Sequence, residues 1–119
     1  PDGFMFTNAE TVIYAKAIYK PREPELTSIQ ELIERDIKDF KTQDPNIIIG
    51  TLPEIKTKDN IPLKSFSFTT KQEGNWEQVT YGEEGEYYLI FTISSRSKQG
   101  YEKSINDYKK FINEYSITP

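Results

Sequence analysis

The stretch Tyr87-Tyr88-Leu89-Ile90-Phe91-Thr92-Ile93, continuing through Ser94 to Ser97 into residues 98–115, decides the architecture. Its first part is bulky, β-branched and aromatic at both alternate positions, the pattern of a strand buried on both faces. Its second part places Tyr101, Ile105, Tyr108, Ile112 and Tyr115 on one side of a helix ending near Tyr115. Phe111 lies at the margin of that side, and Lys103, Lys110 and Glu114 lie opposite. A strand that needs cover on both faces, followed by a helix that can cover one of them, is the frame for the remaining sequence.

Residues 11–20 repeat the strand signal. Ile13, Ala15, Ala17 and Tyr19 form one alternating set, and Val12, Tyr14 and Ile18 form the other, so this strand too is expected to be covered twice. Pro21 and Pro24 end it and open an acidic connector over 21–26. A helix is predicted from about Ser28 to Lys41. Ser28 and Glu31 have capping-box spacing, and Ile29, Leu32, Ile33, Ile37 and Phe40 make an apolar stripe. Glu31–Arg35 and Glu34–Lys38 are expected to pair on its exposed side, and Asp44-Pro45 ends it.

From 46 to 96 the punctuation is that of a meander. Strands are predicted over 46–57, 61–70, 75–82 and 86–95. They are separated by Lys58-Asp59-Asn60, by Lys71 to Gly74, and by Glu83-Glu84-Gly85. Phe66 and Phe68 share a face, with Ser65 and Ser67 on the other. The order strand, helix, four-strand meander, helix predicts an α+β fold. One helix on each face gives a three-layer α/β/α sandwich around a mainly antiparallel sheet. The alternative, both helices on one face, would leave Tyr14, Ile18, Tyr88 and Ile90 exposed and in need of a partner.

At 119 residues the chain is expected to form one domain over 1–119 and to bury roughly two-thirds of its unfolded surface. Eight Tyr, seven Phe and one Trp offset a hydrophobic fraction of only 35%, because each large ring buries about 150–250 Å². A net charge of −4 is unlike the basic stripe of a nucleic-acid binder. Without Cys there is no disulfide, thiolate metal site or Cys nucleophile; without His there is no Ser-His-Asp triad or zinc-peptidase helix. Catalysis would have to use carboxylate, Lys or Tyr groups with tuned pKa values, so the expectation is a non-enzyme without cofactor or metal. No apolar run of about 18 residues is present, so no transmembrane segment is expected. The opening Pro1-Asp2-Gly3, directly before Phe4, Met5 and Phe6, suggests a trimmed or processed product.

Four groups invite a functional reading. Glu83, Glu84 and Glu86 could form a weak Ca²⁺ site, but they lack the alternating Asp/Asn ligands of a calcium loop and read better as a hydrated turn. Glu31, Glu34, Asp36 and Asp39 could form a carboxylate cluster. Their interleaving with Arg35 and Lys38 favours a salt-laced surface. Trp76, Tyr81, Tyr87 and Tyr88 gather on the last hairpin and are the interaction candidates, lining a pocket or a protein-binding patch, against a core stack as the plainer alternative. Trp76, directly after Gly74-Asn75, is the foremost of them. Lys56, Lys58 and Lys64 could steer an acidic partner but fit the protection of a sheet edge better.

The block from Glu86 to Ser95, with Tyr101-Glu-Lys-Ser-Ile-Asn-Asp-Tyr-Lys-Lys-Phe111, resembles the closing strand and helix of PsbP-like proteins, and the element order from about 11 to 115 is similar to theirs. That group includes the extrinsic photosystem II subunit, bacterial lipoproteins and a fold relative that binds the GTPase Ran. The resemblance implies a noncatalytic binding or accessory role with a protein partner, and it suggests an exported, periplasmic or cell-envelope setting. Metal-binding His positions of some plant members have no counterpart here, since the chain has no His. A small-ligand carrier or sensor, with a pocket between sheet and helix, is the alternative function.

Overall fold

The computed structural model describes residues 10–70 and 75–115, together with the backbone of 5–7. The elements are β1 (Met5–Thr7), β2 (Thr11–Tyr19), a 3₁₀ turn (Lys20–Arg22), α1 (Ile29–Gln43), β3 (Ile48–Lys56), β4 (Pro62–Thr69), β5 (Trp76–Glu84), β6 (Tyr87–Ser95) and α2 (Lys98–Asn113). The strands form one six-stranded sheet in the order β1-β2-β6-β5-β4-β3, and every neighbouring pair is antiparallel. The fold is thus α+β, as the sequence predicts. The short strand β1 was not anticipated. The predicted break from Lys71 to Gly74 lies outside the described residues, as do residues 1–4 of the opening segment.

Each turn follows from its residues. Gly85 adopts φ 60° as the first of two loop residues between β5 and β6, the positive φ that a two-residue hairpin turn requires there. Between β3 and β4, Asn60 takes the left-handed conformation at φ 65°. Thr57 holds that turn: its N–H donates to the Ile61 carbonyl at 3.1 Å and its Oγ1 accepts from Ile61 N–H at 3.2 Å.

The helix starts are capped by serine. Ser28 Oγ accepts from Glu31 N–H at 3.2 Å, and Ser97 Oγ accepts from Gly100 N–H at 3.0 Å. The predicted capping box is only half formed. Glu31 reaches back one residue beyond Ser28 and accepts from Thr27 N–H at 2.6 Å and Thr27 Oγ1 at 2.7 Å. The expected Glu31–Arg35 pair gives way accordingly, and Arg35 reaches Glu23 at 3.6 Å instead.

Two apolar clusters draw on alternate residues of the same strands. Ile13 of β2, Leu63 of β4, and Leu89, Phe91 and Ile93 of β6 pack with Tyr108 and Ile112 of α2. Ile18 of β2, Phe68 of β4, Val79 and Tyr81 of β5, and Tyr88 of β6 pack with Leu32 and Ile33 of α1, where Phe40 stacks on Phe68 at 4.0 Å between ring centroids. Each such aliphatic side chain contributes about 1.5–3 kcal/mol when fully buried. A buried polar chain crosses the first cluster: Tyr108 Oη donates to the Phe91 carbonyl at 2.9 Å and lies 2.7 Å from Thr80 Oγ1, which in turn lies 2.8 Å from Ser65 Oγ.

Lys56 ends the edge strand β3, Lys58 lies in the following turn and Lys64 is exposed on β4. The β3 edge is further interrupted by a register shift between Leu52 and Ile55, the segment that contains Pro53.

Two substitutions test this packing. Tyr108→Phe strips partners from buried polar atoms and should lower the unfolding free energy by about 1–3 kcal/mol. At Gly82 an added Cβ would run into Leu63 Cδ2 in the buried interior, so Gly82→Ala should cost about 1–3 kcal/mol through overpacking. Urea denaturation measures both, and unchanged midpoints would contradict the packing described.

Candidate functional site

The apolar stripe of α1 contains one charged member. Ile29, Leu32, Ile33, Ile37 and Phe40 recur at helical spacing, and Asp36 falls seven residues after Ile29, inside the stripe rather than opposite it. Its carboxylate therefore turns toward the sheet, where Tyr81 Oη donates to Oδ2 at 2.9 Å. On β5 the residues sharing a face with Val79 and Tyr81 include Glu77. Two carboxylates are thereby carried beneath α1 by the same periodicities that build the core.

They line a cavity of about 350 Å³. Tyr14, Lys16 and Ile18 of β2 and Ile90 and Thr92 of β6 form one side. Glu77 and Val79 come from β5, and Arg35, Asp36, Asp39, Phe40 and Gln43 come from α1. Burial pushes the Asp36 carboxyl above the usual carboxylate range, and Asp39 adds to the push. The Tyr81 hydrogen bond and the charges of Arg35 and Lys16 oppose it. Burial likewise pushes Glu77 up. The Tyr81 hydroxyl is driven well above its ordinary range by burial and by the nearby charges of Asp36 and Glu77. Both carboxylates thus act on one phenol. A second cavity, of about 380 Å³, lies between the irregular part of β3 and α2, lined by Leu52, Pro53, Ile55, Tyr101 and Ile105 among others.

The four aromatic candidates do not form one patch. Tyr81 and Tyr88 are core residues, 1% and 2% exposed, because their positions on β5 and β6 face the side covered by α1. Trp76 is half-buried beside α2, 6.1 Å from the Tyr101 ring, with Lys98 Nζ 5.7 Å from its centroid. Tyr101 Oη in turn donates to Gln78 Oε1 at 2.9 Å. Tyr87 is 41% exposed and lies 5.4 Å from the Tyr19 ring, its cross-strand partner. The acidic turn is also divided: Glu83 pairs with Lys20 at 2.6 Å, whereas Glu84 turns one carboxylate oxygen inward with no hydrogen-bond partner among the described residues. No group of three acidic side chains among the described residues is placed to share a metal ion.

Sequence reading treated Asp36 as part of a solvated row and passed over Glu77. The signal was present in each case, as a charge at a position where the local period calls for an apolar residue.

No family model and no curated protein matches this sequence. Among solved structures, the fold is similar to the crystal structure of PA94 from Pseudomonas aeruginosa, a protein of unknown function named as a candidate regulator. The TM-score is 0.66 at 10% sequence identity, over 98% of this chain and 82% of that one. The likeness establishes a shared fold.

The raised carboxyl of Asp36 sets a pH dependence. Its folded-state affinity for a proton exceeds that of the unfolded chain, so stability falls as pH rises from the ordinary Asp range through the raised value, and stays reduced above it. Asp36→Asn retains an acceptor for Tyr81 and removes the charge. The variant should melt above wild type at pH 7, with the difference shrinking toward zero below about pH 4. Thermal melts across pH 3.5–8 measure this, and a variant less stable than wild type at pH 7 would contradict it.

Proposed function

We propose that this protein is a noncatalytic binding module whose ligand site is the cavity between α1 and the sheet. The observation that carries this reading is the pair of carboxylates, Asp36 and Glu77, held partly out of water at one cavity. Burying them is unfavourable for stability, and ionisable groups perturbed by desolvation concentrate at functional clefts. The cavity lies at the small end of the ligand-pocket range of about 300–1,000 Å³. Tyr81, which touches Asp36, is buried and strongly resists ionisation, so it is poorly suited to act as a nucleophile or as a proton donor to substrate. A carrier or sensor fits these properties better than an enzyme.

The layering follows the same proposal: α1 and α2 flank the sheet as the outer layers of an α/β/α sandwich of PsbP-like type. The two apolar clusters and the element order support that assignment. An accessory role through a protein partner is the second reading, favoured by one observation. Tyr19 and Tyr87, exposed by 42% and 41%, stand together at one end of the sheet.

Native mass spectrometry of gently purified protein separates the two readings. A stoichiometric small molecule that is lost on denaturation is the expected result. A bare mass, with crosslinked protein partners that disappear in a Tyr19→Ser, Tyr87→Ser double variant, would overturn the ligand reading in favour of the accessory one.

A further inference from the structure

Five charged side chains line the cavity: Lys16, Arg35, Asp36, Asp39 and Glu77. Asp36 and Glu77 are half-buried; Asp36 accepts from Tyr81 Oη at 2.9 Å, and Glu77 shares the strand face of Tyr81 on β5. Of the two cations that border the cavity, Arg35 is engaged by Glu23 at 3.6 Å, and Lys16 is exposed on β2. Three carboxylates thus stand against two cations, and both cations are drawn outward, Lys16 by its exposure and Arg35 by Glu23. Entry of an anion would set like charges against each other, and a neutral ligand would add no charge to balance the carboxylates.

A bare metal ion fits less well. No three acidic groups among the described residues converge, and hard cations take six to eight oxygen ligands. Val79 and Ile90 contribute apolar surface beside the carboxylates, and Phe40 contributes a ring. Apolar wall next to half-buried carboxylates is the environment suited to a ligand with a hydrocarbon body and a single cationic head.

We propose that the cavity takes a small organic ammonium ion, its charged nitrogen directed at Asp36 and Glu77 and its apolar body against Phe40, Val79 and Ile90. This rests on the reading of the cavity as the ligand site and specifies the chemistry of that ligand.

The test uses the whole chain and four probes of known charge: phenethylammonium, 2-phenylethanol, phenylacetate and Ca²⁺. Binding is followed by calorimetry and by amide chemical shifts at pH 7. The expected result is that phenethylammonium shifts the amides of α1 and β5 around the cavity and binds at least tenfold more tightly than the other three. Asp36→Asn and Glu77→Gln should each weaken it about fivefold or more, with melting temperatures confirming that both variants fold. If 2-phenylethanol, phenylacetate or Ca²⁺ binds in the cavity as tightly as the ammonium ion, the cation assignment fails while the cavity remains the ligand site. If no probe shifts the cavity amides, the cation assignment fails as well. A bare mass in the native spectrum then removes the ligand site itself, whereas a co-purifying molecule without a cationic nitrogen removes the assignment alone.

Discussion

Everything in this fold depends on the pairing of two strands that are apolar on both faces. β2 and β6 run side by side over nine residue pairs, from Thr11 opposite Ser95 to Tyr19 opposite Tyr87. One alternation of that ribbon supplies Ile13, Leu89, Phe91 and Ile93, and the other supplies Ile18 and Tyr88. Neither set can stay in water without forfeiting the burial that stabilises the chain, so each requires a helix. The amphipathic patterns of α1 and α2 meet this demand, and the meander β3–β5 widens the platform on which they rest.

Those elements were legible because each carries a strong local period and explicit punctuation. The serine caps at Ser28 and Ser97, Gly85 in its turn and Asn60 with positive φ all act in the structure as the residue types suggest. Strand β1 was not legible, since three residues carry too little periodicity to be distinguished from a loop. Side-chain partners were harder still. Glu31 and Arg35 have ideal helical spacing, yet Thr27 and Glu23 hold them, because nearby chain geometry outweighs the few tenths of a kcal/mol in a surface pair.

The aromatic hairpin shows why residue type alone does not locate the proposed site. Tyr81 and Tyr88 follow the alternation of their strands into the core, while Trp76 lies beside α2 and Tyr87 beside Tyr19. Proximity in sequence therefore dispersed the rings. The cavity is instead marked by two acids that interrupt apolar patterns, Asp36 in a helix stripe and Glu77 on a strand face. Local consistency builds a fold, and departures from it indicate where something other than stability has shaped the chain.

The placement of β2 has a topological consequence. Its inner neighbour in the sheet is the last strand, so the first long strand and α1 emerge from the ribosome well before β6, the surface against which β2 is completed. Closing the segment between Tyr19 and Tyr87 carries a length-dependent entropy of about 4 kcal/mol, which only contacts made late in synthesis can offset. A nascent chain that stops short of residue 87 lacks the inner partner of β2, and the ribbon at the centre of the sheet becomes whole only when β6 arrives.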